Sequence, residues 1–290
     1  MESVIRVDTL DGLQCGEESP RVLLLQCELN NTGYGPLLLD GCFGAATKRV
    51  VMDAQKGMKQ QVSGIATPRL LRVLGLEDGP DARARRVTLS VWERFKDTLL
   101  EESAIADLPP LVVLAALAAE SGWMGTWRVG MPTIRFSAHR FRLHVPSNIF
   151  DKVLRISPER GSEVRDAQSG TWHGIHTGRQ EAEYFALSAA SVYDLHAAYG
   201  CISLGAPQLP GRDFDRVGYE TALDMFVGFG DERNQIRGLL QHLELDAGIA
   251  LRNLEWARYA KWRVGTDLVD FYAGYLSELH CAAGKVIREP

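Results

Sequence analysis

Residues Leu108–Gly122 read LPPLVVLAALAAESG, and this stretch decides the fold. From Leu111 to Ala119 no side chain is polar, so a helix here is apolar on nearly every side and belongs at the centre of a domain. Ser121-Gly122 form a natural helix stop. The buried helix therefore delivers one carboxyl group, Glu120, at its end. Apolar surroundings disfavour an ionised carboxyl, and so does the negative end of a helix, and both favour a proton-carrying general acid. Glycoside hydrolysis needs such an acid to protonate the leaving oxygen.

Helical patterns surround this core segment. VTLSVWERFKDTLLEES precedes it as an amphipathic helix. EAEYFALSAASVYDLHAAYG, YETALDMFVGFGDERNQIRGLLQHLE, AGIALRNLEWARYAKWR and VDFYAGYLSELHCAAGK follow it, each supporting helices with turns between them. The alternation in PTIRFSAHRFRLHV is the one strong strand signal and predicts a short hairpin or extended segment over Pro132–Val145. Upstream, VLLLQCELN and TKRVVMDAQKGM place apolar residues at helical spacing, and TGYGPLLLDGCFGAAT lies between them as a turn-rich connection. SGIATPRLLRVLGL then closes the unit, with Thr67 as cap and Pro68 in the first helical position. The polar EDGPDARARR reads as a surface linker. The expected organisation is a three-helix module over residues 1–76, a linker over 77–86 and a larger, mainly α domain with a small β part over 87–290.

Composition narrows the function classes. With 290 residues the chain has room for two cores, and 46% hydrophobic and 24% charged residues are ordinary for globular proteins. A formal charge of −5 gives no electrostatic reason to bind nucleic acid or an anionic membrane, and it opposes steering toward an anionic wall. The longest apolar run, Leu108–Ala119, is far short of the roughly 20 residues that span a bilayer. MESVIRVDTLDG has no basic and then apolar pattern of a secretory signal, so the expectation is a chain that starts in the cytoplasm. The five cysteines, Cys15, Cys27, Cys42, Cys201 and Cys281, lack zinc-site spacing and read as buried free thiols. His173 and His176 in GTWHGIHTG lack a third ligand at any familiar spacing, so neither a metal nor a cofactor is expected.

Two ordered sets of motifs carry a resemblance. Leu25-Gln26, Leu29-Asn30, Gly33-Tyr34, Asp40-Gly41, Phe43-Gly44, Thr47, Val50-Val51 and Gln55 keep a register that resembles the peptidoglycan-binding domain found beside many cell-wall hydrolases. Ala54 stands where that family usually has an aromatic residue. Gln26, Tyr34, Asp40, Phe43 and Thr47 are the wall-binding candidates the resemblance implies, although Asp40-Gly41 as a tight turn, Phe43 as a core plug and Thr47 at a helix start also have structural reasons to be there.

ALAAESGW, PTIRFSAHRF, AYGCISLG, GYETALDMFVG and LEWARYAKW occur in the order and approximate spacing of the N-acetylmuramidase domain of phage endolysins. That resemblance covers residues 108–280 and implies a lysozyme-like fold with Glu120, in a Glu-Ser-Gly motif, as catalytic acid. Trp123, His139, Tyr199, Gly200 and Ser203 are the substrate-binding candidates that go with it. The chain departs from the family at four places. Ser137 occupies the position of a second glutamate, Tyr199 that of a Trp, Ser203 that of a Gln, and Trp262-Arg263-Val264 that of a Tyr-Asn-Gly segment. Asp151, Glu159, Glu163, Asp166 and Asp213 are spare carboxylates in loops, each with a solvated charge as its simplest role.

Two function classes stay open at this point. One is a muramidase that cleaves peptidoglycan in the periplasm after release from the host cytoplasm. The other is a phage virion component, in a tail or baseplate, that docks on peptidoglycan beside other virion proteins with a degenerate site. Peptidoglycan is the expected partner of both.

Overall fold

A computed structural model describes residues 11–287 apart from 36, 77–79, 121–124, 158, 244 and 266–267. The module consists of α1 (Pro20–Asn31), α2 (Ala45–Gly57) and α3 (Pro68–Val73), as the periodicity predicts. Ser19 caps α1 by accepting from Val22 N–H, and Thr67 caps α3 by accepting from Leu70 N–H. Val22, Leu25, Leu29, Phe43, Val50, Val51, Leu70 and Leu71 fill the core between them, none more than 1% exposed.

Two buried amides hold the loops of this small unit. The Gln26 side chain donates to Asp40 Oδ1 (2.8 Å), Cys42 O (3.1 Å) and Thr47 Oγ1 (3.1 Å) and accepts from the backbone N–H of Asp40 and Gly41. Gly41, at φ 69°, supplies the left-handed conformation that this turn needs. Gln55 does the same for the next loop, donating to Ser63 Oγ and Ile65 O and accepting from Ser63 and Gly64 N–H. Ala54, beside it, is fully buried, so a small residue fills the place of the aromatic one.

In the larger domain, α4 (Pro80–Ile105) and α5 (Pro110–Glu120) lead. The expected linker over 77–86 is helical from Pro80 onward. Ala84 already packs into the domain core, and Arg83 bends back to donate to Leu76 O. Val87, Val91, Phe95 and Leu99 continue that buried stripe at a spacing of four. Every α5 side chain from Val112 to Ala119 is at most 2% exposed.

Among the described residues eight short strands make three small sheets. β1 (Thr126–Arg128) and β2 (Met131–Pro132) form a hairpin, and β3 (Ile134–Phe136) follows. α6 (Ala138–Phe141) then cuts the expected hairpin short, because Ser137 caps it by accepting from Arg140 N–H. α7 (Ser147–Val153) leads into the sheet of β4 (Leu154–Ser157), β5 (Gly161–Arg165) and β6 (Trp172–Gly174), a region the sequence presents as loops. α8 (Gln180–Ser191) and α9 (Leu195–Gly200) precede β7 (Ile202–Leu204) and β8 (Leu209–Pro210). β3 pairs with β7, not with its own neighbour, and β7 pairs with β8.

The chain closes with α10 (Ala222–Gly228), α11 (Glu232–His242), α12 (Leu245–Arg252), α13 (Trp256–Val264) and α14 (Val269–Val286). α14, through Tyr272, Leu276, Leu279 and Ala283, packs on α4, α5 and α13. α5 is thus enclosed as its composition predicts. Among the described residues no helix is long and apolar enough to cross a membrane. All five cysteines are free. Cys27 and Cys201 are buried as expected, whereas Cys15 and Cys281 are exposed.

The module is docked on the larger domain. Arg179 grips Asp53 through Nε and Nη2 (2.8–3.2 Å), Arg86 pairs with Glu28 at 3.1 Å, and Arg49 donates to Ser162 O at 3.0 Å. Cys27 reaches the larger core, and Phe271 packs against both.

Gln26 is the first test of this account. Gln26→Leu strands the N–H groups of Asp40 and Gly41 in a buried turn, so the module should lose about 2–3 kcal/mol. Chemical denaturation followed by a probe in the module checks this, and a loss under about 0.5 kcal/mol contradicts the clamp.

Candidate functional site

Burial of α5 brings its last residue to the edge of the core, where Glu120 is 9% exposed. A buried carboxylate needs charge and hydrogen bonds, and the end of α13 supplies both. Arg263 donates from Nε to Oε1 and from Nη2 to Oε2, a bidentate fork. Tyr272, on α14, donates its hydroxyl to Oε1 at 3.0 Å. Burial and then the Glu120 charge push the Tyr272 phenol well above its usual range, which keeps it a donor. Burial alone would weaken the Arg263 cation, but the Glu120 carboxylate more than offsets this and holds it charged.

This pairing changes the expected electrostatics. The sequence puts Glu120 among apolar side chains at the negative end of a helix, a setting for a proton-carrying acid. Arg263, 143 residues away in the chain, instead offers the ionised form two charge-assisted hydrogen bonds. In the segment that departs from the family as Trp262-Arg263-Val264, the middle residue is thus the direct partner of Glu120.

Glu120 and Arg263 open onto a cleft of about 1070 Å³. Its floor is one face of the β3–β7–β8 sheet. Arg135 stands opposite Ser203, and Ser203 opposite Pro210, and all three line the cleft. Arg140 of α6 joins them. One wall comes from the start of α14, including Asp270 and Tyr272. The other comes from the module, where Glu18 and the segment Leu37–Cys42 face the opening. Binding module and larger domain therefore share one groove.

The predicted site residues fall into distinct places. Glu120 and Ser203 line the cleft. His139 is exposed on α6, Tyr199 packs edge-on against Phe226 at 5.1 Å, and Gly200 ends α9, and none of the three lines the cleft. Trp123 and the Ser121-Gly122 stop lie outside the described residues. In the module, Gln26, Phe43 and Thr47 are buried, Tyr34 is half-buried, and Asp40 is exposed at the cleft wall.

The spare carboxylates find local work outside the cleft. Glu163, on strand β5 and not in a loop, holds Arg155 at 2.6 Å, and the hydrogen bond from Arg155 keeps its carboxyl below the usual range. Asp213 takes a hydrogen bond from His242 at 3.0 Å, and Asp166 accepts from the N–H groups of Gln168 and Ser169. Asp151 sits on α7, and Glu159 is exposed between β4 and β5. His173 and His176 do not converge either, since His176 turns inward onto Glu183 at 2.9 Å. Among the described residues no group of three or more His, Cys, Asp or Glu is placed to hold a metal ion.

Sequence reasoning missed the contributions of Arg135, Arg140 and Tyr272. The signal for Arg135 was a charged residue set between the fully buried Ile134 and Phe136, on the strand face turned toward the cleft.

Comparison with known proteins matches this layout. A family model described as N-acetylmuramidase covers residues 109–283, and one described as a putative peptidoglycan binding domain covers residues 18–74. No curated protein matches the chain. The crystal structure of the Burkholderia AP3 phage endolysin aligns with 96% of this chain and 100% of its own, at 21% identity and a TM-score of 0.51, a likeness of fold.

The pair at the cleft edge yields a direct test. Arg263→Ala should destabilise the protein by about 3 kcal/mol, because it leaves a buried carboxylate uncompensated. Adding Glu120→Gln to that variant should recover much of the loss. A double-mutant cycle in urea measures the coupling, and additive effects would contradict the buried pair.

Proposed function

Because the chain belongs to the N-acetylmuramidase family, we propose that it cleaves the β-1,4 bond between N-acetylmuramic acid and N-acetylglucosamine, with Glu120 as general acid. It is a peptidoglycan hydrolase of the glycosidase class, and peptidoglycan is its substrate. The observation that carries the role of Glu120 is its delivery, by a helix buried from Val112 to its end, to a cleft large enough to enclose sugar rings.

Arg263 adds a step to the chemistry. A guanidinium that donates to both carboxylate oxygens leaves neither free to carry a proton to the leaving oxygen. Glu120 therefore acts once substrate has drawn Arg263 aside and the freed carboxylate has taken up a proton from solvent. The Arg263 side chain is 24% exposed at the cleft, so rotation about its own bonds suffices. Tyr272 stays behind to orient the carboxyl group. Ser137, in the place of the family's second glutamate, spends its hydroxyl on the cap of α6. The water that completes hydrolysis must be activated by another group, and Glu18, Asp40, Asp270 and Glu278 are carboxylates that line the cleft.

The module supports this reading by forming a wall of the same cleft, so a strand held by Leu38–Asp40 runs on toward Glu120. Gln26, Phe43 and Thr47 serve that wall by keeping its turn in shape. The enzyme acts at the cell wall, which we infer it reaches by release from the cytoplasm.

Digestion of purified peptidoglycan followed by mass spectrometry of the products checks the assignment. Wild type should release fragments with reducing N-acetylmuramic acid ends, and Glu120→Gln should cut the rate by at least ~100-fold. Reducing N-acetylglucosamine ends, or an undiminished Glu120→Gln variant, would overturn it.

A further inference from the structure

We propose that Arg135 and Arg140 form a carboxylate-binding subsite on the cleft floor, which takes a carboxylate of the glycan substrate beside Glu120; this rests on the reading of the cleft as the glycan site.

The first observation is that these arginines are unpartnered. Arg94, Arg179, Arg233, Arg237, Arg252 and Arg258 each hold a carboxylate. The side chains of Arg135 and Arg140 make no hydrogen bond or ion pair with any described residue, and Arg135 Nε and Arg140 Nη1 are sealed from water with no acceptor. Buried polar atoms of folded proteins almost always have partners, and a half-buried guanidinium without one is costly. Burial weakens the Arg135 cation, and the charges of Glu183 and Asp40 offset this only in part.

The two acids whose charge reaches Arg135 accept hydrogen bonds from other groups and none from it. Glu183 gives one oxygen to Phe136 N–H and the other to His176. Asp40 commits Oδ1 to Gln26 and to Cys42 N–H. The missing partner is therefore an anion from outside the chain.

Position says which one. Arg135 lies opposite Ser203, and both share the cleft with Glu120. Ser137 caps the short helix that carries Arg140, fixing its approach to the same floor. A guanidinium fork matches the planar geometry of a carboxylate. Peptidoglycan bears carboxylates in two places, the lactyl ether of muramic acid where no peptide is attached, and the stem peptide where one is. A chitin backbone bears neither. The subsite thus distinguishes muramic-acid-containing strands from plain N-acetylglucosamine polymers.

Binding separates this from turnover. The full chain carrying Glu120→Gln is titrated with chitin oligosaccharides, with glycan strands stripped of peptide, and with intact muropeptides. Arg135→Met and Arg140→Met should each weaken binding of a carboxylate-bearing ligand by about tenfold or more and leave chitin oligosaccharides unchanged. Loss confined to stripped strands assigns the lactyl carboxylate, and loss confined to muropeptides assigns the stem peptide. Arg135→Met should also melt at or above the temperature of its parent, since it removes an unpaired charge. Arg140→Met keeps the test open if Arg135→Met fails to fold. Equal loss on all three ligands, or on none, overturns the proposal. Hydrolysis by wild type, measured separately, reports on the cleft's function whichever way the binding falls.

Discussion

The Glu120–Arg263 pair is the constraint on which the site depends. A helix without a polar side can only end in a carboxylate if something neutralises that charge where it emerges. Arg263 does this from the last turn of α13, and Tyr272 completes the shell from α14. The pair also ties α5 to the two helices that enclose it. One arrangement thus ties down the core edge and restrains the carboxyl group that we propose as the general acid. Sites that hold charges ready for a ligand commonly trade stability for function, and here the pair leans toward stability until substrate arrives.

The cleft floor leans the other way. Arg135 and Arg140 stand without partners a short distance along the same surface, where the family resemblance places a glutamate at Ser137. Arg135 and Arg140 place positive charge on one face of a cleft that Glu18, Asp40, Asp270 and Glu278 also line, so the formal charge of −5 is a poor guide to what that face attracts. The module shapes the approach from the other side through Leu37–Cys42, held in place by the buried amides of Asn30 and Gln26.

Much of the fold was legible in the sequence because its strongest signals are local. Leu111–Glu120 could only be a central helix, and Thr67-Pro68 could only start one. The β4–β5–β6 sheet was not legible. Its strands run three to five residues, with charged residues such as Arg155 and Glu163 paired across the sheet, so no alternation stands out. The expected hairpin over Pro132–Val145 failed at one residue, since the hydroxyl of Ser137 starts a helix where the alternation had pointed to a strand. The linker failed for a related reason, because Ala84 and Arg83 find packing and hydrogen-bonding partners that local polarity does not reveal. Within the site, Glu120 was legible as the end of its helix. Arg263 was legible only as a departure, because its partner lies 143 residues away.

On the proposed reading Glu120 becomes a proton donor only when Arg263 leaves it. A crystal structure of the wild-type protein with a non-hydrolysable thio-linked muramoyl oligosaccharide tests this most directly. The account predicts Glu120 within hydrogen-bond distance of the bridging sulfur, with the bidentate contact to Arg263 broken and the Tyr272 hydrogen bond retained. An oligosaccharide seated across the cleft with that contact intact would contradict it.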